Sequence, residues 1–100
     1  MEDTVGLKIN KNDNVAVVFA ENAKKGVRLN VTDHKGNVSI LVLLSDIPYG
    51  HKAAVASIKK GSPIIKYGET MGIATTDIEA GEHVHVHNAD SQRGRGDIQD

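Results

Sequence analysis

A five-residue pattern of polar, apolar, x, x, Gly recurs in the chain: Asn22-Ala23-Lys24-Lys25-Gly26, Asp46-Ile47-Pro48-Tyr49-Gly50, Ser57-Ile58-Lys59-Lys60-Gly61 and Asp77-Ile78-Glu79-Ala80-Gly81. The first residue caps a single helical or 3₁₀ turn, the second points into the core, and the glycine leaves the turn in a left-handed conformation before a strand resumes. A chain that turns so often has no room for long helices. No window keeps an amphipathic 3.6-residue period beyond about two turns, which excludes a helical bundle and a βαβ layout.

The segments between the corners read as strands. Val5-Gly6-Leu7-Lys8-Ile9 alternates with period two, Asn10-Lys11-Asn12-Asp13-Asn14 is dense in turn formers, and Val15-Ala16-Val17-Val18-Phe19 resumes as an apolar strand. Val27-Arg28-Leu29-Asn30-Val31 alternates, Asp33-His34-Lys35-Gly36-Asn37 supplies a turn, and Val38 to Leu44 continues as a buried strand, so a hairpin is expected here. His34 is expected to be a solvated loop residue. Valine and isoleucine far outnumber leucine, as in β-rich proteins. The expected fold class is therefore all-β, with short strands and short helical corners, in one domain over residues 1–90. Residues 91–100, polar and glycine-rich, are expected to form a flexible tail.

At 100 residues the chain is the size of one domain and buries roughly 65% of its unfolded surface. Twelve basic and 13 acidic residues are interspersed and the net charge is -1, so there is no footprint for nucleic acid or for an anionic membrane surface. Only Phe19, Tyr49 and Tyr67 are aromatic, too few for a base-stacking platform. No apolar run reaches the ~20 residues of a membrane span, and the start Met1-Glu2-Asp3-Thr4 is unlike a signal peptide. With no cysteine there is neither a disulfide framework nor a thiol nucleophile. These features fit a cytoplasmic protein.

Chemistry is concentrated in His83-Val84-His85-Val86-His87-Asn88, which holds three of the five histidines at i, i+2 and i+4. In a strand the rings share one face, and His83 and His85, ~6.6 Å apart at Cα, could bridge one metal ion, whereas His83 and His87 at ~13 Å could not without a bend. One strand thus offers at most two ligands, and carboxylates, waters, substrate or another polypeptide must supply the rest. His51 and Lys52 follow Gly50 in a turn suited to binding a carboxylate, and Lys66-Tyr67-Gly68 offers a cation and a phenol. The bland readings are an ordinary turn for the first and a tyrosine covering the core beside an exposed lysine for the second; for the histidine face it is a structural or interface role. Lys24-Lys25 and Lys59-Lys60 are surface corners. Arg95-Gly96-Asp97 matches an adhesion tripeptide in letters only, while Arg93 and Arg95 suit docking to an acidic partner or substrate. No nucleophilic triad or phosphate-cradling loop is readable.

Four motifs carry a family resemblance: Asp46-Ile47-Pro48-Tyr49-Gly50-His51-Lys52-x-Ala54, Ile65-Lys66-Tyr67-Gly68, Ile73-Ala74 and Asp77-Ile78-x-x-Gly81-Glu82-His83-Val84-His85-Val86-His87-Asn88. In these the chain resembles the SAF-type domain of the altronate and galactarate dehydratase family, including the small subunits of sulfolactate sulfo-lyase. The resemblance implies a β-clip fold, a long bent hairpin folded on itself. It also implies a small subunit of a sugar-acid dehydratase that works with a separate large catalytic subunit on a small hydroxy acid, and is inactive alone. A divalent metal, usually iron and shared with the large subunit, goes with that chemistry. His83, His85 and His87 would then be metal ligands, His85 and His87 catalytic acid and base, and His51, Lys52, Lys66 and Tyr67 substrate-binding residues.

Two alternatives stand beside this reading. One is a binding module of the same fold that recognises a carbohydrate acid without chemistry, and the other a cupin-like metal enzyme, disfavoured because no histidine follows His87. Packing of the domain against copies of itself is a further expectation.

Overall fold

The structure, a computed structural model, describes residues 5–33 and 35–91. Among these every element is a strand: β1 (Val5–Leu7), β2 (Val15–Val18), β3 (Arg28–Thr32), β4 (Val38–Val42), β5 (Lys52–Ala54), β6 (Pro63–Lys66), β7 (Glu69–Ala74), β8 (His83–Val84) and β9 (Ala89–Ser91). The first sheet runs β4-β3-β1-β2-β5-β8 and the second β6-β7-β9. The all-β expectation holds, and the larger sheet curls as in a β-clip SAF domain. His34 and the tail beyond residue 91 lie outside the described residues.

The four glycine corners organise this fold. Gly26, Gly50, Gly61 and Gly81 all have positive φ, and the apolar residues Ala23, Ile47, Ile58 and Ile78 are all buried. The corners are hydrogen-bonded turns rather than helical ones, and the acids that open two of them bond across to a neighbouring corner. Asp46 Oδ1 accepts from the Lys25 amide at 2.8 Å and Asp77 Oδ1 from the Lys60 amide at 2.9 Å.

These parallel bonds reveal an internal repeat. Gly26 N donates to Leu43 O as Gly61 N does to Ala74 O, and Gly50 N donates to Val18 O as Gly81 N does to Ala54 O. Two buried clusters follow the same correspondence. Val18, Ala23, Leu29, Leu43, Ile47 and Ala53 in one match Ala54, Ile58, Ile64, Ala74, Ile78 and Val84 in the other. Strands β2 and β5 serve both clusters through their alternating faces.

The hairpin β3–β4 forms as expected, with register Arg28↔Val42 through Thr32↔Val38. The burial expected for Val38 to Leu44 is corrected: Val38, Ile40, Val42 and Leu44 are exposed, and only Leu43 is buried. Strand β4 ends its sheet, and the face that carries Val38, Ile40 and Val42 is exposed.

Candidate metal centre

The segment expected as one strand over residues 83–88 is a two-residue strand followed by a turn. Asn88 makes the turn, with its Oδ1 accepting from the His85 amide at 3.0 Å and its Nδ2 donating to the His83 carbonyl at 2.9 Å. Asparagine is a strong turn former because its side chain substitutes for backbone partners. Buried at 3% exposure, Asn88 has both its amide atoms engaged. The bend keeps the rings together: His83 and His85 stack at 5.5 Å and 11°, and His87 lies 5.3 Å from His83.

A fourth imidazole arrives from the corner before β5. Strands β5 and β8 pair antiparallel with Lys52↔Val84 and Ala53↔His83, and one step further along the same register His51 faces His85. The two rings are 4.6 Å apart. His51 Nδ1 and His83 Nε2 lie 2.9 Å apart in a hydrogen bond, one nitrogen carrying the proton and the other accepting it. His51, His83 and His85 each present a nitrogen within 4.8 Å of the other two. Three imidazoles so arranged suit a first-row divalent cation such as iron, zinc or manganese, with open positions for water or substrate.

The electrostatics favour the neutral ring at His83 and at His85. Burial, reinforced by His51, His87, His85 and Lys52, lowers the His83 pKa from 6.5 to about 4. Desolvation and then the neighbouring His51 and Lys52 also lower that of His85. Lys52 is half-buried on β5, and its pKa is lowered by desolvation and by the nearby charge of Lys66. An open hollow of about 220 Å³ adjoins the cluster, lined by Lys52, Ile64, Met71, Val84, His85 and Asp90 among others.

The structure thus draws His51, placed with the carboxylate-binding turn in the sequence reading, into the imidazole cluster. His87 stands beside His83 but outside the trio of close donors. Lys66 and Tyr67 sit at the β6–β7 turn and do not line the hollow, although Lys66 is near enough to act on Lys52. Tyr67 has φ +55° and Gly68 φ +82°, the backbone of a type I′ turn. The Lys66 ammonium lies 5.1 Å from the Tyr67 ring centre.

One structural residue escaped the sequence reading. The carboxylate of Asp13, read only as a turn former, is buried and accepts from the amides of Ile9, Asn10 and Gly68. Burial raises its pKa, but backbone donors at Gly68, Asn10, Tyr67 and Ile9 outweigh this and leave it lowered. The one available signal was an acid in a run of turn residues next to a buried strand.

Fold and site together define a β-clip domain bearing a cluster of histidines. The family model for the SAF domain of altronate/galactarate dehydratase matches residues 4–92, and the chain belongs to that family. It is similar to altronate dehydratase of Bacillus subtilis (48% identity over 82 residues, 82% of this chain and 15% of the relative). A second altronate dehydratase, from Escherichia coli, is 40% identical over 94% of this chain and 19% of its own. The (2R)-sulfolactate sulfo-lyase subunit alpha of Chromohalobacter salexigens is 36% identical over 81% of this chain and 87% of its own. The chain thus spans under a fifth of each of these two dehydratases, where this domain is one part of a larger protein. Among the described residues no helix is long and apolar enough to cross a membrane.

Proposed function

We propose that this chain is the small, metal-holding part of a hydro-lyase that removes water from a sugar acid such as altronate or galactarate, acting with a larger catalytic body. The observation that carries this reading is the trio His51, His83 and His85 beside a hollow with Lys52 in its wall, in a domain of a dehydratase family. Family membership supports the reaction class, and the donor set supports the cation, with iron as the expected metal.

Dehydration of a 2,3-dihydroxy acid takes the proton from the carbon next to the carboxylate and expels the hydroxyl from the adjoining carbon. The resulting enol becomes a 2-keto-3-deoxy acid. A divalent cation held by His51, His83 and His85 would supply Lewis acidity toward the departing hydroxyl. Lys52, at the wall of the hollow, is placed to neutralise the substrate carboxylate. His87, outside the trio but against His83, remains to accept or return a proton, and the neutral state favoured at His85 suits either ligation or base work. Lys66 tunes Lys52 rather than touching a ligand in the hollow. The remaining groups come from the larger body, so the chain alone is not expected to turn over substrate.

A second reading, elimination of sulfite from a sulfolactate, is favoured by one observation. The (2R)-sulfolactate sulfo-lyase subunit alpha of Chromohalobacter salexigens is 36% identical to the chain over 81% of the chain's residues.

The test is reconstitution of the chain with candidate large subunits, assaying dehydration and sulfite release on a panel of hydroxy acids with iron, manganese or no metal. The proposal expects activity that needs both chains and collapses in His51→Ala and His85→Ala. Full activity in those variants would remove the histidines from the chemistry. Saturable binding of a sugar acid by the isolated chain, with no turnover alongside any partner, would leave a binding module instead.

A further inference from the structure

The internal repeat contains one asymmetry. In the second half, strand β7 carries β9 on its far edge, through Gly72↔Ser91, Ile73↔Asp90 and Ala74↔Ala89. Its counterpart in the first half, β4, ends the six-stranded sheet, and among the described residues no strand takes its far edge. Leu43 turns its backbone groups toward β3, since its amide donates to Val27 O and its carbonyl accepts from Gly26 N. Strand alternation then directs those of Val38, Ile40, Val42 and Leu44 to the open side. The corner at Gly81 takes the end of that edge, where the Leu44 amide donates to Gly81 O at 2.8 Å and the Val42 carbonyl packs against Gly81. Among the described residues, none takes the edge groups of Val38 and Ile40, which face the side where a further strand can add.

The side chains tell the same story. Val38, Ile40 and Val42 are 59%, 51% and 50% exposed, and β4 holds no charge, proline or bulge. Those are the devices that keep solvent-facing edges from pairing.

We infer that this edge is a two-fold interface between copies of the chain, in which β4 of a second copy adds antiparallel to β4 about an axis at Ser39. Val38 of each copy then faces Ile40 of the other, and their outward N–H and C=O groups reciprocate. The strand is its own complement: apolar side chains meet apolar side chains, no like charges are apposed, and the net charge of -1 adds little repulsion. The axis lies toward the hairpin tip, away from the Gly81 corner, so the existing contacts there stay in place. In the other half of the molecule the far edge of β7 carries a strand over Gly72 to Ala74, the counterparts of Leu41 to Leu43, so the fold already extends a sheet on this side. Two six-stranded sheets join into one, in an isologous contact.

Sedimentation equilibrium on the whole chain tests this independently of the lyase reading, which metal titration and reconstitution address. The expected mass is twice 10.7 kDa. Ile40→Pro removes an outward amide that takes no part in the β3 ladder, and Ile40→Lys apposes charges across the axis. Both are expected to run as monomers with unchanged circular dichroism. A second readout covers misfolding of the variants: in the wild type, exchange of the Val38 and Ile40 amides should slow as concentration rises. A wild-type monomer with concentration-independent exchange overturns the inference, as does a dimer that survives both substitutions. Protection of those amides only after a large lyase subunit is added would assign the edge to that partner instead.

Discussion

The carboxylate of Asp13 accepts the amide of Gly68 at 2.8 Å, joining two turns 55 positions apart in the chain. The same carboxylate holds the amides of Ile9 and Asn10, so one buried acid sets the relation of the β1–β2 turn to the β6–β7 hairpin. Asp13→Ala should cost about 3 kcal/mol, since hydrogen bonds to a charged group are lost and buried donors are left unmet. Asp13→Asn, which retains an acceptor, should cost about half as much. Urea unfolding of the two variants checks the order, and equal stabilities would remove the staple role.

Gly50 and Gly81 are equivalent in the repeat and have φ +83° and +96°, but their surroundings differ. A Cβ at Gly50 would meet open space, whereas at Gly81 it would overlap the carbonyl oxygen of Val42. Gly50→Ala should therefore cost about 1 kcal/mol, the strain of a left-handed alanine. Gly81→Ala should cost about 3 kcal/mol or more, because backbone must also move. Thermal unfolding of both proteins measures the gap.

Calorimetric titration with manganese or iron(II) addresses the cluster directly. His51→Ala and His83→Ala should each weaken binding beyond the ~10–100-fold typical of losing an outer-shell partner. His87→Ala should fall within that range. A stronger loss in His87→Ala than in His51→Ala would shift the centre toward the tip of the turn.

Asn88→Ala should lower metal affinity without removing a ligand. It frees the His85 amide and the His83 carbonyl, loosening the turn that aligns both rings, with an expected stability loss of about 1–2 kcal/mol. Affinity unchanged in a folded Asn88→Ala protein would show that the ring positions do not depend on this side chain.

Acid should destabilise the metal-free chain before the carboxylates titrate. The His83 pKa is depressed from 6.5 to about 4, so on acidification the unfolded chain takes up the proton first. Stability is then full above pH 6.5, declines as the pH falls from about 6.5 toward about 4, and levels off below that for this group. Denaturant midpoints across the window should show the slope, and His83→Gln should flatten it. A midpoint that climbs on acidification would reverse the sign of the coupling.

What could be read from the sequence was what is local. A glycine after a polar, apolar pair dictates a corner by its own conformational freedom, and all four corners stand with their buried apolar residues and left-handed glycines, as turns without the helical character expected. Pairing between distant strands is not local, which is why His51 was placed with a carboxylate turn while the β5–β8 register sets it against His83 and His85. The period of His83, His85 and His87 is that of a strand, yet Asn88 folds the segment back through its side chain. For β4 the difficulty is different: Val38-Ser39-Ile40-Leu41-Val42 reads the same in a core as at a bare edge.

The neighbours Ala53 and Ala54 point into opposite cores. A division of labour that fine, made residue by residue along one strand, leaves the molecule without a seam. The repeat is one of shape and not of autonomy: a fragment ending near Gly50 would lack the strand that closes its own interior, and one beginning there would lack Val15. Hydrogen exchange should accordingly find β2 and β5 opening together with the global transition, so that neither half can be released, replaced or evolved as a module while the other stays folded.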